Sequence, residues 1–219
     1  MAATEASPDH SAQTAAPPAA PAAPPPAWAG DPNTVGLPSF ILGVVSLGLT
    51  LVGVVPATAG GAPLAIILAA TSTGLLVTTI WAAALGQSAV AGVYGIFFGF
   101  WLSYGVLVLG LNHNWFGPGT TAAAVSTIEL FLIVWLIIVV MLMLASLRLP
   151  LAFTAIFAFV AVAVVLVLIS YEQASAGLAK AGGYFVLASA AVGIYLFFNS
   201  LSVATGGKPL PLGTPVLHG

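Results

Sequence analysis

From Pro32 to Ile128 the chain holds no Asp, Glu, Lys or Arg, and that one stretch decides which solvent it can fold in. A soluble domain normally carries about 25% charged residues. Here 4% of 219 residues are charged and 60% are hydrophobic, and 3 Lys+Arg with 5 Asp+Glu cannot cover a soluble domain. Lipid is therefore the solvent for most of the chain. The crossing segments must be helices, because their apolar runs are continuous and lack the alternation of barrel strands. A helix also satisfies its own backbone polar groups where no water can.

One crossing takes about 20 apolar residues. Gly, Pro and polar clusters cut the sequence into six such stretches, predicted at about 36–58, 64–86, 89–111, 121–147, 151–171 and 180–204. The fold class expected is an all-α integral membrane protein, a six-transmembrane-helix bundle. It spans a transport domain at 31–213, preceded by a tail at 1–30 and followed by a short tail at 214–219. The leading tail is Ala/Pro-rich (Pro17, Pro18, Pro21, Pro24, Pro25, Pro26) and reads as disordered, since it offers little apolar area to offset ordering entropy. It has no basic start and no apolar run, so it does not read as a signal peptide. Six crossings put both termini on one side. Arg148 and Lys208 then fall on that side and mark it as cytoplasmic, with Glu172 and the polar 112–120 turn opposite. Lys180 dissents, and a lysine at a helix end can snorkel.

Small residues recur where helices must approach closely: Ala91, Gly95 and Gly99; Gly182, Gly183, Ala188 and Gly193; Gly43, Gly48 and Gly53. These stripes fit tight bundle packing, a narrow path or an oligomer seam.

Catalytic constellations are missing. The sequence has no His-Glu-x-x-His, no Gly-x-Ser-x-Gly and no glycine loop followed by Lys-Ser/Thr. The histidines (His10, His113, His218) sit in the tail, a turn and the C-terminus, so neither metal nor other cofactor is expected. There is no cysteine, which excludes disulfides and thiolate chemistry, and the net charge of −2 gives no footprint for nucleic acid. What remains is a short set of candidates. Glu129 lies about two turns into the fourth helix, and an ionisable group at membrane depth is by default a functional candidate. It reads either as a protonatable pathway liner or as a glutamic acid reaching the outer interface. Tyr94, Phe97, Phe98, Phe100 and Trp101 cluster in the third helix, as packing or as a constriction of rings. Asn199 in the sixth is a helix–helix hydrogen bonder or a donor to a passing carboxylate. Trp28, Trp81 and Trp115 read as interface anchors.

Two ends of the chain carry a resemblance. Asp31-Pro32-Asn33-Thr34-Val35-Gly36-Leu37-Pro38-Ser39-Phe40 resembles the Asn-Pro-Ala-Pro-Leu-Gly-Leu-x-Gly-Phe signature of the acetate uptake transporter family, the succinate–acetate permeases and their fungal relatives. Phe100-Trp101 is similar to that family's Phe-Trp pair, and Gly207-Lys208-Pro209-Leu210-Pro211-Leu212-Gly213 to its Gly-Arg-x-x-Leu-Pro-x-Gly tail. Asp31, Thr34 and Ser39 depart from the motif's Asn, Pro and Gly. The resemblance implies a homo-oligomer, a hexamer of six-helix protomers, each with its own pore for acetate or related monocarboxylates, often proton-linked. It also implies an apolar constriction to which Phe40 and Phe97 contribute.

With so few cations, a carboxylate must be met by neutral donors. The helix N-terminus from Thr34 through Gly36 to Phe40 offers N–H groups; Ser72, Thr73, Thr78 and Thr79 offer hydroxyls. The candidate pore residues are thus Thr34, Gly36, Phe40, Phe97, Gly99, Trp101, Glu129 and Asn199. Two other readings stay open: a channel for a small uncharged solute, and a non-conducting membrane scaffold or sensor.

Overall fold

The computed structural model describes residues 29–217, apart from 57, 58, 60 and 118. Nearly all of the expected Ala/Pro-rich tail, with Trp28 and His10, lies outside the described residues, as does His218. Six long apolar helices carry the chain: α1 (Asn33–Val52), α2 (Gly61–Ala84), α3 (Ser88–Asn112), α4 (Thr121–Ser146), α5 (Leu151–Glu172) and α6 (Ala176–Ala204). No strand occurs among the described residues.

Local chemistry moves three boundaries from their expected places. The first helix begins at Asn33 rather than 36. Asp31 Oδ1 accepts the Asn33 N–H at 2.9 Å, and Pro32 stands at the cap, where a missing N–H costs nothing. It stops at Val52 rather than 58. Gly53 adopts a left-handed φ of 85° there, and its N–H turns back to the Leu49 and Thr50 carbonyls. Gly53 therefore ends the helix instead of extending its small stripe. The sixth helix starts at Ala176, since the Ser175 hydroxyl accepts the Leu178 N–H.

The α1 helix packs most closely on α6 and also on α2; α3 lies on α2, α5 on α6 and α4 on α5. Small residues make these approaches possible. A Cβ at Gly48 would meet Leu187 at 2.7 Å, one at Gly183 would meet Leu51 at 2.8 Å, and one at Gly105 would meet Leu68 at 2.5 Å. The α3–α4 backbones approach far less, and rings bridge that gap: Phe100 to Trp135 at 5.3 Å and Tyr104 to Phe131 at 6.1 Å between centroids. The outer face of α4 (Leu130, Ile133, Val134, Ile137, Met141) is exposed and apolar, as lipid or a neighbouring subunit requires.

Beyond α6 the chain turns at Gly206 (φ 85°) and runs back as a strap. The Leu210 N–H donates to Asn199 Oδ1 at 2.7 Å, and the Tyr195 hydroxyl donates to the Pro211 carbonyl at 2.8 Å. The Ala152 and Leu217 N–H groups reach the Leu212 and Leu147 carbonyls at 3.0 and 2.9 Å. Asn199 thus fastens the strap to α6, and the two backbone bonds fasten it to α5 and to the end of α4.

Candidate functional site: a layered passage between α1, α3 and α5

Residues three and four apart on a helix share a face, about one turn of 5.4 Å from each other. Read from the terminus side, α1 and α3 therefore meet in successive layers. The first is polar. Asn33 Oδ1 accepts the Tyr94 hydroxyl at 2.7 Å, and Asp31 Oδ1 accepts both the backbone N–H and the side-chain amide of Asn33. The carboxylate of Asp31 is thereby held as a helix cap. Gly36 brings α1 against α3 and α2 at this level: a Cβ would collide with the Tyr94 ring and lie 2.7 Å from Thr78 Cγ2. Replacing Tyr94 with phenylalanine removes the side-chain bond that joins α3 to Asn33 in this layer and is expected to cost about 1 kcal/mol. Thermal unfolding in detergent reads it as a midpoint lowered by about 2–4 °C.

The second layer is made of rings. Phe40 meets Phe97 edge-on with centroids 5.0 Å apart, and Phe97 stacks on Phe157 of α5 at 6.1 Å. All three are buried. Contact at these separations leaves no open channel between them.

Past the rings lies a cavity of about 100 Å³, room for a molecule of a few heavy atoms. Phe40 and Phe97 form its floor, and its walls include Val44, Trp101, Tyr104, Phe131, Val164 and Val186. No carboxylate, imidazole, amine or guanidinium is among its lining residues.

Three of the sequence-derived candidates, Phe40, Phe97 and Trp101, come together here. Thr34 and Gly36 stand in the polar layer below. Gly99 is outside the lining; a Cβ there would touch Trp135 at an ordinary 3.6 Å. Glu129 is half-buried on α4 and is also outside the lining, although its neighbour Ile128 is in it. Asn199, on α6, accepts the strap's Leu210 N–H and is also outside the lining. Phe157 is not distinguishable by sequence, where it is one of several phenylalanines in α5.

The expected donors are largely engaged. At the start of α1 the Asn33 N–H goes to the Asp31 carboxylate, Thr34 to the Asp31 carbonyl, and Val35 and Gly36 to the Pro32 carbonyl. The hydroxyls of Ser72, Thr78 and Thr79 each donate to a carbonyl of their own helix at 2.8 Å. A carboxylate arriving at the α1 terminus would find these groups taken, contrary to expectation.

A family model described as the GPR1/FUN34/yaaH family matches residues 13–206. Among solved structures, one named "Structure of the bacterial acetate channel SatP" superposes with a TM-score of 0.75, over 84% of this chain and 99% of the other, at 19% identity. At that identity the likeness speaks for the fold. None of the curated proteins compared matches the sequence.

Proposed function

The chain belongs to the GPR1/FUN34/yaaH family, and from that footing we propose that it conducts acetate or a similar small monocarboxylate through the passage between α1, α3 and α5. The observation that carries the reading is the contact of Phe40, Phe97 and Phe157 beneath an uncharged cavity of about 100 Å³. Such a ring selects for size and strips water, while weak neutral walls admit a solute without trapping it. The similar structure is by name an acetate channel, which agrees with that substrate class. The family resemblance adds a homo-oligomer, with the hexamer as the expected form. The placement of Arg148 and Lys208 supports cytoplasmic termini.

Passage is of the channel kind in this proposal. The lining holds no group suited to carrying a coupled proton near neutral pH, so a proton that crosses does so on the acid itself. Labelled acetate uptake into liposomes, with an inward proton gradient on and off, tests this. Glu129→Gln is expected to leave the pH profile of uptake unchanged, because Glu129 lies outside the lining; a profile flattened or moved by a full pH unit would return that residue to the mechanism. A small uncharged solute is the second reading, favoured by the same lack of cations, and comparing acetate with acetamide separates the two.

A further inference from the structure

Carboxylate passage needs donors, and two buried ones are unengaged. Among the described residues, Thr71 Oγ1 and Trp101 Nε1 are fully buried side-chain atoms with no hydrogen-bond partner. Native structures rarely leave such groups unpaired. Elsewhere in this bundle the hydroxyls of Ser39, Ser72, Thr78, Thr154 and Ser189 each donate to a carbonyl at 2.7 to 2.8 Å.

The two orphans stand together. Gly43 of α1 faces both: a Cβ there would lie 2.7 Å from Trp101 Cε2 and 2.9 Å from Thr71 Cγ2. Cε2 is the ring carbon bonded to Nε1, so the N–H edge of the indole sits at this three-helix junction. The backbone explains why Thr71 is orphaned. Ile66–Thr71 is a π-helical turn within α2. A threonine hydroxyl usually bonds the carbonyl four residues back, which here is that of Ile67. Both the N–H and the hydroxyl of Ser72 already occupy that carbonyl. Single π turns inside α-helices recur at functional sites. Trp101 in turn is one helical turn past Phe97 and lines the cavity.

We propose that the Trp101 indole N–H and the Thr71 hydroxyl form a polar station that receives one oxygen of the permeant's carboxyl group, just past the phenylalanine ring. The station rests on the reading of this chain as a path for small carboxylates. It supplies what the engaged N–H groups of α1 do not: two unengaged neutral donors, Trp101 on the cavity lining and Thr71 behind it, outside that lining. Gly43 is required because a Cβ there would collide with both side chains.

The test uses the full chain labelled with ¹⁵N at the indoles and titrated with sodium acetate, with sodium chloride and acetamide as controls. One indole N–H resonance, lost in Trp101→Phe, is expected to move saturably with acetate and not with chloride. Thr71→Val, nearly isosteric, is the deciding variant. It is expected to weaken that titration and slow acetate uptake into liposomes by about 3- to 10-fold, the loss of one neutral hydrogen bond. Its acetamide uptake is expected to change less. Acetate uptake by the wild type with an unmoved indole resonance, or unchanged acetate uptake in Thr71→Val, overturns the station alone and leaves a bridging water as the pair's partner. No acetate uptake by folded wild-type protein overturns the transport reading and the station with it.

Discussion

Gly36→Val is expected to lower the thermal unfolding midpoint in detergent by about 6–12 °C. A side chain at this position has nowhere to go, because the Tyr94 ring occupies the space and Thr78 Cγ2 stands 2.7 Å away. Tyr94 is itself fixed by its bond to Asn33, so it cannot swing aside without breaking the polar layer. Overpacking of this kind costs about 3 kcal/mol at the upper end of its usual range. Against a total stability of about 5–15 kcal/mol, that lowers the folded-to-unfolded ratio about 150-fold and weakens the seam of α1 with α2 and α3. Size-exclusion elution and a helical melt read the loss. Gly92→Ala provides the control, since its Cβ would meet nothing within 4 Å. Equal behaviour of the two variants would contradict the close approach of α1 and α3.

The second large effect belongs to the ring layer. Phe40→Ala is expected to widen the passage and to raise the uptake of butyrate relative to acetate by about tenfold or more, since each methylene a pocket rejects is worth about 10- to 200-fold in discrimination. The side chain is 4% exposed and touches Phe97, so its removal also joins new space to the cavity above. Stability falls as well, by about 3–5 kcal/mol if the gap does not collapse. Phe40→Leu loses less volume and carries the same test should the alanine variant fail to fold. A butyrate-to-acetate ratio unmoved in both variants would remove Phe40 from the constriction.

Much of the fold is legible in the sequence because its signals are local. Pro, Gly and charge clusters mark where apolar runs end, and six runs of membrane length follow directly from them. Shifts at the termini come from capping chemistry: Gly53 reads as a small packing residue until its left-handed φ shows it to be a stop. The site is less legible, for a physical reason. In a soluble helix the polar face reveals the buried one; in lipid both faces are apolar, and periodicity says little about which ring points inward. Phe40 and Phe97 belong to recognisable motifs, whereas Phe157 has none and emerges only from its stacking on Phe97. Asn199 and Glu129 stand out as polar residues in apolar runs, yet one ties down the strap and the other lies outside the cavity lining. Thr71 does not stand out among the hydroxyls of α2, because the π turn that frees it has no sequence signature comparable to a proline or a cap.

If a carboxylate of a few heavy atoms passes a ring of three phenylalanines into an uncharged chamber, its size must govern its rate. Stopped-flow uptake of labelled acetate, butyrate and benzoate into liposomes bearing the folded wild-type chain measures that dependence. Saturable acetate uptake well above that of protein-free liposomes, falling steeply with the size of the acid, is the predicted result. Acetate uptake no faster than in protein-free liposomes, or equal acceleration of all three acids, would contradict it.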